Sequence, residues 1–201
     1  DKESDLELEI DNQYIMSPKD LKTLDFLDKV LDAGVRVLKI EGRGRSPEYV
    51  KVVTRVYRQA VDAWLNGEWS SEKLEQWNKD LSSVYNRGFW DGYYLGQKVG
   101  EWSKGYGSQA TTKKTFVGTV TNYFKNIGVA EIKIETGNLT VGDRIYIMGT
   151  TTGVYEDTLQ EIRVDLKTTD KAIKGEFCSI PTKSLIRRGD KVYVIEDIIP
   201  E

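Results

Sequence analysis

Val35-Arg36-Val37-Leu38-Lys39-Ile40 runs into Glu41-Gly42-Arg43-Gly44-Arg45 and then into Ser46-Pro47. The first six residues read as a short buried strand, rich in β-branched side chains. The next five read as a turn. Ser as N-cap with Pro at the first helical position is a helix start, and Val50, Val53, Tyr57, Ala60, Val61 and Trp64 recur at helical spacing through about 18 residues. Upstream, Ser17-Pro18-Lys19-Asp20 repeats the same device, with an acid three residues after the cap. Leu21, Leu24, Leu27 and Leu31 then mark one helical face, Ala33-Gly34 ends it, and Tyr14-Ile15-Met16 before it reads as extended. The order strand, helix, strand, helix predicts parallel strands joined by a right-handed crossover. Two strands cannot complete such a sheet, so residues 1–66 read as the terminal βαβα elements of a (β/α)8, TIM-type barrel whose other strands lie elsewhere.

Residues 67–111 read as a helical, aromatic-rich linker. A helix is predicted over 71–86, capped by Ser70 or Ser71, with Leu74, Trp77, Leu81 and Val84 on one side. Phe89 to Gly96 mixes aromatics with glycine and predicts an ordered loop. All five tryptophans fall between residues 64 and 102, and beyond them the pattern changes to period two. Residues 112–201 predict a six-stranded antiparallel β-barrel, with strands at 115–121, 129–135, 144–148, 158–164, 176–180 and 191–195. Leu139 to Tyr146 and Leu185 to Tyr193 echo each other as a Gly-Asp turn feeding a strand.

The 201 residues hold no histidine, which excludes His-dependent serine and cysteine proteases, HExxH metalloproteases and His-ligated metal sites for this chain acting alone. With one cysteine, Cys178, there is no internal disulfide and no metal or iron–sulfur site of its own, and a reducing, cytoplasmic setting is expected. No metal ligand set and no cofactor site is read from the chain. Basic residues number 29 and acidic residues 32, so any nucleic-acid contact has to be local rather than a matter of bulk charge. No targeting or membrane-spanning segment is read, and the start at Asp1 reads as a fragment boundary.

Glu41 closes the predicted second strand, where functional groups gather in parallel α/β folds, and is the candidate catalytic residue. Arg43 and Arg45 precede a helix start at Ser46, and with Lys39 they form a candidate anion or substrate site. The competing reading pairs Glu41 with one arginine and leaves the other solvated. Asp20 is read as a capping acid and left outside the site. Tyr85, Phe89, Trp90, Tyr93 and Tyr94 are read as packing rather than base stacking, and Cys178 as an inert thiol. Lys113, Lys114, Lys125, Arg187 and Arg188 are candidate phosphate contacts for RNA.

The run YIMSPKDL, then LDAGVRVLKIEGRGRSPEYVKVVTRVYRQAVDAW, then NRGFWDGYYLG and FVGTVTNYFKNIGVAEIKIETGNLTVGDRIYIM, resembles the C-terminal part of the collagenase-like peptidases of unknown catalytic type, family thirty-two. Within it the likeness is to the tRNA hydroxylation branch. That resemblance implies uridine hydroxylation in tRNA, an alternative label as a protease, an iron–sulfur cluster held by cysteines of the longer parent, and an RNA partner together with the missing N-terminal part. The second unit, with Val117-Gly118-Thr119-Val120, Gly128 to Ile134 and the two Gly-Asp turns, is also similar to domain two of elongation factor Tu. A non-catalytic binding or scaffold module is the remaining alternative. Apolar surface left by an incomplete first unit predicts self-association.

Overall fold

A computed structural model describes residues 18–103 and 107–198. The chain forms two compact units that divide between Ala110 and Thr111. The expected extended segment at residues 14–16 and the cap at Ser17 lie outside the described residues.

In the first unit Asp20–Leu21 (β1) pairs in parallel with Phe89–Trp90 (β2). A 3-10 turn over Leu24–Phe26 leads into Leu27–Asp32 (α1), followed by Pro47–Leu65 (α2) and Ser71–Ser83 (α3). The helix expected directly after Pro18 is displaced. Asp20 N–H donates to the Gly88 carbonyl and Lys22 N–H to Trp90, so residues 20–22 spend their backbone groups on β2 rather than on a helical turn. α2 follows its pattern with the buried stripe on Val52, Val53, Val56, Ala60 and Ala63, while Val50 faces outward. Ser70 caps α3 by accepting from Lys73 N–H at 3.2 Å.

Two expectations fail here. Residues 35–40 form no strand; Val37 is 82% exposed and Val35 39% exposed, with Leu38 and Ile40 only partly packed. A β pattern becomes a strand only where a neighbour pairs its N–H and C=O groups, and no described strand runs beside it. The only parallel pairing among the described residues is two residues long, so TIM-barrel elements are not seen. Residues 67–103 are also more than a linker: Trp77, Leu81 and Val84 share one core with Leu24, Leu27, Val56 and Ala60.

The second unit carries ten strands, where six were expected. These are Thr112–Phe124 (β3), Val129–Ile134 (β4), Asn138–Thr140 (β5), Arg144–Gly149 (β6) and Gly153–Thr158 (β7), then Ile162–Val164 (β8), Lys167–Thr169 (β9), Lys171–Ile173 (β10), Phe177–Pro181 (β11) and Lys191–Asp197 (β12). Eight make one antiparallel sheet in the order β7-β6-β12-β3-β4-β11-β8-β9, and β5 pairs with β10 beside it. The hydrogen-bonded ladder ends at β7 and β9, so the sheet is not the closed six-stranded barrel of the sequence reading. Alternation sets its core: Ala130, Ile132 and Ile134 of β4 point inward between Glu131 and Lys133, and they meet Ile145, Ile147, Cys178, Ile180 and Val192. β3 bends through register shifts near Val117 and Thr121. Gly118 sits between them because a Cβ there would lie 2.1 Å from the Lys133 carbonyl oxygen.

The echoed turns are built alike. Gly142 and Gly189 have φ of 95° and 92°, a region that favours glycine. Asp143 accepts from Thr140 N–H at 2.7 Å, and Asp190 accepts from Arg187 N–H at 2.8 Å, each closing the chain onto the residue three before it. Gly142 and Asp143 bond the two backbone groups of Leu159, as Gly189 and Asp190 bond those of Val120.

Candidate functional site

The predicted anion site does not assemble as a site. Arg45 donates to Asp20 Oδ1, and the other oxygen of Asp20 accepts from Arg87 N–H at 2.8 Å. The Arg45 guanidinium also lies over the rings of Tyr49 at 5.1 Å and Tyr85 at 4.5 Å. Its side chain is 14% exposed and that of Asp20 16%. Burial pushes the Tyr49 hydroxyl pKa up, with Arg45 opposing. An arginine whose charge is matched and whose planes are covered is a structural tie, not an open anion receptor. Glu41 sits in exposed coil and accepts from Arg43 N–H at 2.8 Å, closing a local turn. Lys39 and Arg43 face solvent, and Ser46 stands at the α2 N-cap position without a side-chain cap bond. The placement of Glu41 at a strand's carboxyl end therefore falls with the strand.

Sequence reasoning missed Asp20. Its spacing from Ser17 matched a capping acid, whereas its partners are 25 and 67 residues away.

The second unit sets four of its predicted cations at the two ends of one strand. β12 runs antiparallel between β3 and β6. At its start the exposed Arg187 and Arg188 form the Gly-Asp turn, and at its end Glu196 and Ile195 pair with Lys113 and Lys114 of β3. Lys113 lies 3.2 Å from Glu196, and Lys114 Nζ stands 5.3 Å from the Tyr193 ring centre. Lys125 is exposed beyond the end of β3. Between the two cation groups, Phe116, Tyr193 and Tyr146 lie side by side on three neighbouring strands. The Phe116 and Tyr193 rings meet edge to face at 5.7 Å. Lys191 Nζ lies 5.6 Å from the Phe116 ring centre and donates to Thr119 at 2.8 Å.

A separate cavity of about 160 Å³ opens among Ile145, Tyr155, Leu159, Pro181 and Lys183. Tyr155 donates to Asp157 at 2.6 Å, and Lys183 Nζ reaches the same carboxylate at 2.8 Å. Burial pushes the Tyr155 hydroxyl up to about 12, and the bonds from Lys183 and Tyr155 hold Asp157 below the usual carboxylate range. These polar groups satisfy one another, which makes the cluster a clasp on the β7 edge. Cys178 is buried in the core and its thiol is pushed up to about 12 by burial, so it is an inert side chain. A lone core cysteine does not fit an iron–sulfur cluster. Among the described residues no cluster of acids and cysteine could hold a metal ion. No helix among them is long and apolar enough to cross a membrane.

The model of peptidase family U32 matches residues 1–104, more than half of these 201 residues. The chain belongs to this family. A protein named collagenase from Porphyromonas gingivalis is 55% identical over 96% of this U32 chain and 47% of its own length. An uncharacterized protease of Methanocaldococcus jannaschii is 33% identical, again over 96% and 47%. A tRNA hydroxylation protein of Bacillus subtilis is 31% identical over 77% of the chain and 36% of its own length, so the likeness to that branch is present at lower identity than to the collagenase-named relative. The U32 chain spans about half the length of the curated relatives it matches. Among solved structures, the C-terminal domain of a Geobacillus thermoleovorans U32 family protein aligns over 39% of this chain and 90% of its own, at 16% identity and TM-score 0.38. The bacterial selenocysteine-specific elongation factor aligns over 40% and 14%, at 17% identity and TM-score 0.33.

Proposed function

We propose that the chain is the C-terminal part of an RNA-modifying enzyme acting on tRNA uridine by hydroxylation, with the β unit recruiting the substrate. The observation that carries this reading is the set of cations along β12, from the exposed Arg187 and Arg188 at its start through Lys191 to Lys114 opposite its end. Seven strand residues at about 3.3 Å each set the two groups roughly 20 Å apart, a separation that suits several successive phosphates of one strand. Any iron–sulfur cluster of the longer protein would draw its cysteines from outside these residues. The supporting relatives are those named for tRNA hydroxylation.

Peptide cleavage is the second reading, and the 55% identity to proteins named collagenase favours it. Mass spectrometry of tRNA nucleosides from cells with and without the full-length gene separates the two. Loss of a hydroxylated uridine on deletion, restored by the gene but not by its Arg187→Glu/Arg188→Glu variant, supports RNA modification. Unchanged nucleosides together with gelatin cleavage by the purified full-length protein would support the peptidase.

A further inference from the structure

We infer that residues 35–41 are a docking edge of the first unit, completed in the longer protein by a β-strand from outside these 201 residues. Either activity considered above is compatible with this completion.

Backbone bonding marks the edge. Among the described residues, no amide of 35–41 donates to a backbone carbonyl and no carbonyl of 35–41 accepts from a backbone amide, whereas Gly34 N–H bonds Leu31 and Arg45 N–H bonds Gly42 on either side. The run is nevertheless seated. Leu38 and Ile40 pack against the helical core, while Val37 and Lys39 alternate with them and face outward. Alternate burial of this kind is that of a strand with one face covered. Seven residues is also an ordinary strand length. Residues 20–22 of the same unit show the contrast, because they spend their backbone groups on β2. A run whose face is packed and whose ladder groups are unspent lacks only a neighbour.

Length and charge select the occupant. The collagenase-named relative and the uncharacterized protease each match 96% of this chain with 47% of their own length, so about as much polypeptide again lies outside these residues. A strand joined covalently to the run docks without the loss of translational freedom that a separate partner incurs. Arg36 and Lys39 are exposed and form no ion pair with another described residue. Glu41 is the one acid of the run, and it is turned onto Arg43 N–H. A second copy pairing on this edge would therefore bring two sets of cations together, which disfavours it. A strand with carboxylates beside Arg36 and Lys39 and β-branched residues beside Val37 fits instead. Its docking would cover Val37, which is 82% exposed.

Hydrogen–deuterium exchange of the full-length protein, read by mass spectrometry, tests this together with carbodiimide cross-linking of the same sample. The amides of 35–41 are expected to exchange about a hundred-fold more slowly than their unstructured rate. The cross-linker, which joins an amine to a carboxylate in contact with it, is expected to couple Lys39 to an acid outside the 201 residues. Val37→Asp is expected to return 35–41 to the unstructured rate while α2 stays slow, which separates loss of docking from loss of fold. Lys39→Arg is expected to keep the slow exchange and lose the cross-link. Exchange of 35–41 at the unstructured rate in the wild-type full-length protein would overturn the docking edge. A Lys39 cross-link to an acid within the 201 residues, or to a second copy in a mixture of isotope-labelled and unlabelled protein, would overturn the occupant.

Discussion

The two units solve the same problem of burying their apolar surface in different ways, and the difference decides where function can reside. The β unit is self-contained: every strand except β9 places a residue in or against one core, and each ladder finds its partner within ninety-one residues. Its outer face is thereby free to carry charge and rings. The first unit draws its helices around one core but leaves Val35 to Ile40, a strand-like run, in exposed coil, and it ties its loops together through one carboxylate. Of the residues that looked like a site there, Arg45 and Glu41 are spent on ties within the unit, while Lys39 and Arg43 stand apart in solvent.

The sharpest way to break the comparison is Gly118→Ala. The new Cβ would collide with the Lys133 carbonyl in the centre of the β3–β4 ladder, and a cost of about 3–4 kcal/mol is expected. Chemical denaturation followed by tryptophan fluorescence and by far-UV dichroism checks this. All tryptophans lie in the first unit, so the dichroic transition should move while the fluorescence transition moves less. Next in size is Asp20→Ala. It strands the largely buried Arg45 and frees Arg87 N–H, with about 2–3 kcal/mol expected, below the cost for a fully buried pair. Asp20→Asn combined with Arg45→Met should recover part of that loss, and the fluorescence transition reads it. Within the β unit, Asp190→Ala is expected to cost about 2 kcal/mol and Asp143→Ala about 1. The turns match, but Asp190 is 5% exposed and also accepts from Thr152 at 2.6 Å. Equal losses would show that the additional bond adds nothing.

The smallest effect concerns pH. The folded pKa of Asp157 is depressed, so its contribution is present above the unfolded carboxylate value and is lost as pH falls through the folded value. Lys183→Ala should raise that folded value and move the acid limb of the stability curve to higher pH. The change is under about 1 kcal/mol, because Lys183 is 80% exposed. A stability–pH curve for the variant that overlays the wild type would remove the clasp from the account.

What was legible in the sequence follows the same division. Alternation located five of the six expected strands of the β unit, because period-two burial is a local signal and the partners lie nearby; the sixth, 158–164, is broken at residues 159–161 and only Ile162–Val164 of it forms β8. It missed β7, whose Gly153–Thr158 run follows a turn and mixes one buried ring with polar residues, and it missed β5, β9 and β10, each three residues long and too short to show a period. In the first unit the pattern of 35–40 encodes a capacity to pair but not the presence of a partner. Asp20 failed for a related reason: a spacing rule explained it fully, while its bonds reach Arg45 and Arg87. The Tyr146 and Tyr193 row was written in the repeated Asp-cation-aliphatic-Tyr motif, but the register that sets the two rings side by side comes from the antiparallel pairing of β6 and β12.

The most direct test of the claim that the β unit meets RNA is photo-crosslinking of the whole chain to a single-stranded RNA carrying 4-thiouridine, with the adducts mapped by mass spectrometry. Adducts within the β unit, on β12 and the turn that leads into it, are predicted. Adducts confined to residues 39–46, or none above a duplex control, would contradict it.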